Sequence, residues 1–67
     1  MDGFHMITLE RLDGFDVAVN DTELAALDVD PDSGGTIVVL KSGYTMTVTA
    51  DVAGIMDIIK QLWPQPQ

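Results

Sequence analysis

Cysteine is absent from these 67 residues, so no disulfide can brace the fold and no thiolate can hold zinc or an iron–sulfur cluster. Bases are nearly absent too: 3 Lys and Arg stand against 11 Asp and Glu, a formal charge of −8. Nucleic acid is bound by clustered Lys and Arg that neutralise phosphates, so this balance argues against DNA or RNA as a partner. No apolar run approaches the ~20 residues of a membrane span, and no charged-then-apolar leader opens the chain. The expectation is a cytoplasmic protein with no membrane insertion. Aromatics make up only 6% of the residues, so the core must be mainly aliphatic.

What is present is an apolar fraction of 46%, ordinary for a globular domain and too high for disorder. A chain this short buries roughly 60% of its unfolded surface and draws only about 3–5 kcal/mol of net stability from its core. Self-association into a homo-oligomer is the expected further source of stability. The acids keep such a domain dispersed by self-repulsion, and they would also suit a basic protein partner or imitation of nucleic acid.

Met6 to Leu12 alternates, with Ile7 and Leu9 on one face and Thr8 and Glu10 on the other. Asp13-Gly14 follows, then Phe15, Val17 and Val19 share a face. An Asp-Gly pair between alternating runs predicts a hairpin with a type I′ turn. The stretch from Thr22 to Val29 is ambiguous; it is read as a short turn followed by a strand, with Ala25, Leu27 and Val29 alternating. Thr36 to Leu40 is β-branched and apolar, which suits a central strand buried on both faces. Ser42-Gly43 predicts a second tight turn before a strand in which Tyr44, Met46 and Val48 face inward. The period then changes. Val52, Ile55, Met56, Ile59, Leu62 and Trp63 form a helical stripe behind an Asp51 N-cap, and Pro64 ends it. The expected fold is mainly β: a small, bent antiparallel sheet or SH3-like barrel of about five strands with one C-terminal α-helix. Residues 1–5 are read as a flexible N-terminal extension, 6–63 as the single domain and 64–67 as a polar tail.

The chemistry is sparse. DVDPDSGG, Asp28 to Gly35, places three acids on alternate residues. A calcium loop of this kind needs glycine at its sixth position and a glutamate at its twelfth. Here those positions are Ser33 and Val39, so the stretch reads as a turn and no metal is expected. His5 lies in the extension, Ser33 and Ser42 lie in turns, and nothing pairs acids such as Asp16 and Asp57 in a cleft. No catalytic residue and no cofactor is therefore assigned, and the protein is not expected to be an enzyme. Two other side chains exceed what folding needs. Arg11 is either an ion-pair partner at the sheet rim or a ligand or partner contact. Tyr44, opening its strand, is either a rim residue or a contact of the same kind. On the helix, Ile58 widens the apolar arc. Ile55, Ile58, Leu62 and Trp63 are therefore the expected partner or oligomer interface, set against deeper packing as the alternative.

With these residues in view, Met6 to about Leu62 resembles the small flagellar and swarming-motility proteins of the FlbD/SwrD family. The opening strand pattern I-x-L-x-R-L-x-G is matched by Ile7, Leu9, Arg11, Leu12 and Gly14, and Asn20 follows the second strand. Pro31 and Asp32 match a Pro-Asp turn, and Thr36, Val38, Leu40 and Gly43 match the pattern T-x-I-x-L-x-x-G. Val48 and the segment from Ile55 to Ile59 match a valine strand end and an amphipathic helix. The resemblance implies a non-enzymatic accessory protein that binds a protein partner and supports flagellar motor output. Ser33-Gly34-Gly35 lengthens the Pro-Asp turn, QLWPQPQ replaces a basic end, and the chain is more acidic than the family. A second expectation is therefore a phage-encoded inhibitor that blocks a host or defence protein or sequesters a small signal.

Overall fold

The structure, a computed structural model, describes residues 5–62. Strand β1 (Met6–Glu10) returns as β2 (Asp16–Asn20), with Ile7 opposite Val19 and Leu9 opposite Val17. Alternation puts Ile7, Leu9 and Val19 in the core and leaves Thr8, Glu10 and Ala18 in solvent. A single 3-10 turn over Asp21–Glu23 then redirects the chain, and the Asn20 side chain accepts the Thr22 N–H at 3.0 Å. Strands β3 (Leu24–Val29), β4 (Thr36–Leu40) and β5 (Thr45–Val48) form a second antiparallel sheet in that order. Helix α1 (Val52–Leu62) closes the described chain. Five antiparallel strands in two sheets and one C-terminal helix are the predicted class, and residues 22–29 hold both the turn and the strand.

The sheets do not close into a barrel. Closure would need β1 and β5 to pair along their length, but they meet at one bridge, Arg11 with Val48. Beyond it β1 enters its hairpin turn and β5 enters the turn before α1. The helix seals the core instead: Ile55 is fully buried in one cluster with Ile7, Leu9, Val19, Val38, Met46 and Val48. Asp51 caps α1, its Oδ1 accepting the Gly54 N–H at 2.8 Å, as its position before the stripe predicts.

Several expected inward residues are not inward. Phe15 is 68% exposed and Tyr44 55%, because each closes a hairpin beyond the edge of the core, where correct alternation meets no partner. A bulge between Leu24 and Ala26 shifts the phase of β3, so Leu24 and Leu27 pack on the core while Ala25 and Val29 are exposed. Strand β4 is central, but only Thr36 and Val38 are fully buried; Ile37, Val39 and Leu40 on it are half-buried. His5, expected in the loose extension, continues the β1–β2 ladder: Asp21 N–H donates to its carbonyl at 2.9 Å and its own N–H donates to Asp21 Oδ1 at 3.0 Å.

The first hairpin turn also differs from expectation in type. Arg11 N–H donates to Phe15 O and Gly14 N–H to Arg11 O, each at 2.9 Å, which defines a three-residue loop over 12–14. Leu40, Gly43 and Tyr44 repeat the pattern at 2.8 Å. Gly14 (φ +92°) and Gly43 (φ +94°) supply the left-handed residue, as their turn positions predict, but among the described residues no non-glycine residue has positive φ. Asp13 therefore does not take part in a type I′ turn.

Candidate binding groove between the two hairpin turns

Arg11 follows β1 directly and bridges to Val48 of β5, and Tyr44 directly precedes β5. The bridge to Val48 brings their turns side by side. Between them lies an open groove of about 320 Å³ lined by Arg11, Leu12, Asp13, Tyr44, Thr45, Met46 and Thr47. The two side chains singled out in the sequence as contact candidates thus share one site, although more than 30 residues separate them in the chain.

The charges in the groove are set locally. Arg11 Nη2 lies 2.9 Å from Asp13 Oδ2, with the two side chains 36% and 52% exposed. Asp13 Oδ1 accepts the Phe15 N–H at 3.0 Å. That bond first, and the Arg11 charge after it, hold the Asp13 carboxyl below its ordinary value. Arg11 Nε is buried with no hydrogen-bond partner, so the stem is packed away and the terminal nitrogens carry the exposed charge. The ion-pair reading of Arg11 holds, and the pair forms one wall of the groove. Leu12, 52% exposed, and Tyr44 add large apolar surface from two different turns.

The helix residues assigned to an interface lie elsewhere. Ile55 is 0% exposed, so it is core and has no surface to offer. Ile58 and Leu62 are half-buried and pack on the core with Ile59, while Met56, expected on the sheet side, is 43% exposed. The helix is therefore rotated toward the Ile55, Ile58, Ile59 and Leu62 side, leaving the flexible Met56 as the one placed in water. Trp63 lies outside the described residues.

The acidic stretch is a turn built from its own side chains. Asp30 Oδ1 accepts the Asp32 N–H at 3.3 Å and Oδ2 the Ser33 hydroxyl at 2.7 Å, while Ser33 Oγ accepts the Gly35 N–H at 3.1 Å. The Ser33 bond, then the Asp32 N–H, lower the Asp30 carboxyl below its ordinary value. Asp28 Oδ1 accepts the Val29 N–H at 2.9 Å. Among the described residues no group of three or more His, Cys, Asp or Glu is placed to hold a metal ion. No described helix is long and apolar enough to cross a membrane.

Comparison of the chain with protein-family models, with curated proteins and with solved structures finds no match.

Proposed function

We propose that this protein is a small acidic interaction module, non-enzymatic and cytoplasmic, that binds a protein partner and self-associates in the manner of the FlbD/SwrD motility accessories it resembles. The groove carries the reading. Leu12 and Tyr44 stand more than half exposed beside a guanidinium, and aromatic, aliphatic and Arg side chains of this kind are what protein interfaces bury at their centres. The lining favours binding over turnover: its hydroxyls belong to Thr45, Thr47 and Tyr44, and its one carboxylate, Asp13, is engaged by the Phe15 N–H and Arg11 and held below its ordinary value, which makes it a weak base. Self-association would use the outer edges of β2 and β3, each of which pairs with one strand only among the described residues, since the helix stripe packs on the core.

The test is genetic and biochemical together. Removing the gene should impair swarming, the wild-type gene should restore it, and Leu12→Asp should not, while in-cell crosslinking should recover a motor component only with wild type. Normal motility in the deletion strain would end the motility reading. A second reading, a phage-encoded inhibitor, is favoured by the charge of −8, which suits a decoy for a surface that binds acidic partners. Gene neighbourhood separates the two: flagellar genes support the first, short phage genes the second.

A further inference from the structure

In an antiparallel ladder the N–H and C=O of one residue face the same neighbour, and those of the next residue face the opposite side. Within β5, Met46 and Val48 therefore point their backbone groups toward β4, while Thr47 points away. The bonds bear this out: Thr47 O accepts the Leu12 N–H at 3.3 Å, and Thr49 N–H reaches Glu10 O at 2.8 Å. Thr45, two residues before Thr47, presents its N–H and C=O on the same outer side. No strand lies there, because after Leu12 the chain has turned away toward Gly14. Among the described residues no backbone group meets the N–H or C=O of Thr45 or the N–H of Thr47. All three open toward the groove that Thr45, Met46 and Thr47 line.

We propose that the groove is a strand-addition site for an extended, lysine- or arginine-bearing segment of a partner protein. The segment lies along Thr45 to Thr47 as a further strand and takes up the three unpaired backbone groups. Leu12 and Tyr44 flank its apolar side chains. Charge selects the occupant. Glu10 and Asp16, paired at the end of β1–β2, Asp13 in the turn between them and Glu23, whose carbonyl accepts the Lys41 N–H at 2.8 Å, outnumber Arg11 and Lys41 here. With −8 on the whole chain, this surround favours a basic segment over a second acidic copy as the occupant of the groove. The inference rests on the groove being the partner surface and adds the binding mode and the partner's charge.

The probe is a capped eight-residue peptide of alternating lysine and valine, titrated at low salt into isotope-labelled protein. Saturable binding is expected, with the Thr45 and Thr47 amide resonances shifted and slowed in hydrogen exchange. Methylating alternate backbone nitrogens keeps the peptide's charge but should weaken binding by about tenfold or more, since it deletes the strand bonds. The glutamate–valine counterpart should not bind. Thr45→Pro removes an outward N–H that β4 does not use, so it should weaken binding several-fold while the thermal melt moves little. Equal binding of the methylated peptide, shifts spread over the whole acidic surface, or no saturation at millimolar peptide would each overturn strand addition. If the peptide fails while Leu12→Asp still abolishes partner crosslinking, the groove remains the partner surface and only the strand mode falls. If Leu12→Asp leaves crosslinking intact as well, the partner surface lies elsewhere.

Discussion

Gly35 lies against the backbone of Val48 so closely that a Cβ built on it would overlap the Val48 carbonyl oxygen and stand 3.2 Å from the carbonyl carbon. The pair sits where β4 leaves the acidic turn and β5 ends, one residue from the Thr36–Val48 register pair. The obstruction is backbone rather than the far end of a side chain, so it cannot swing aside. Gly35→Ala should therefore cost about 1–3 kcal/mol, the usual range for overpacking. Against a total of about 3–5 kcal/mol for a domain of this size, that is a large part of the stability. Circular dichroism should show a markedly lowered melting temperature, and an unchanged melt would mean that the two strands separate there at little cost.

Thr36 is fully buried on the same strand, and its hydroxyl donates to the Ala50 carbonyl at 2.7 Å. That bond fastens the turn between β5 and α1 to the central strand. Thr36→Val keeps the shape but leaves the Ala50 carbonyl without its donor, at a cost of about 1–3 kcal/mol. Urea titration should show a lower midpoint with an unchanged slope, since the surface exposed on unfolding stays the same. A midpoint equal to wild type would show that water replaces the hydroxyl.

Ile58 packs on the core with Ile55, Ile59 and Leu62. Ile58→Asp would place a carboxylate in that packing with no base nearby on its own turn except Lys60, and such a charge is costly to bury. The variant should lose its cooperative melt and its dispersed amide spectrum. A folded variant of lower sedimenting mass would return this face of the helix to the role of an interface.

Acid should weaken the two turns that carboxylates hold together. Asp13 and Asp30 have folded values below the ordinary 3.8, so their contribution is fully present above that value and is lost as pH falls through the lowered ones. Both carboxylates are exposed, so the effect is small and salt-sensitive. Asp13→Asn with Asp30→Asn keeps acceptor oxygens but removes the titration. Stability measured from about pH 5 down to about pH 2 should fall less steeply in the double variant than in wild type. Parallel curves would assign the acid sensitivity to other acids.

Local rules made several features legible in the sequence. Alternation placed Ile7, Leu9, Val19, Met46 and Val48 in the core, and all five are buried. Turn chemistry placed Gly14 and Gly43 at positive φ, and the N-cap preference placed Asp51 at the start of the helix. Each depends on a few neighbouring residues, whose steric and hydrogen-bonding demands are the same in any fold.

What only the tertiary structure decided is where a repeating pattern meets a partner. Phe15 and Tyr44 continue their alternating faces correctly but overhang the core, and nothing in a period of two marks where the opposite layer stops. The helix stripe is wide enough to be rotated either way, and packing against the sheets chose Ile55, Ile58, Ile59 and Leu62 over Met56. Arg11 and Tyr44 were each visible alone, but their shared groove exists because one β1–β5 bridge, Arg11 to Val48, sets two distant turns side by side. Such a juxtaposition depends on long-range strand pairing, which local sequence constrains only through which face of each strand is apolar.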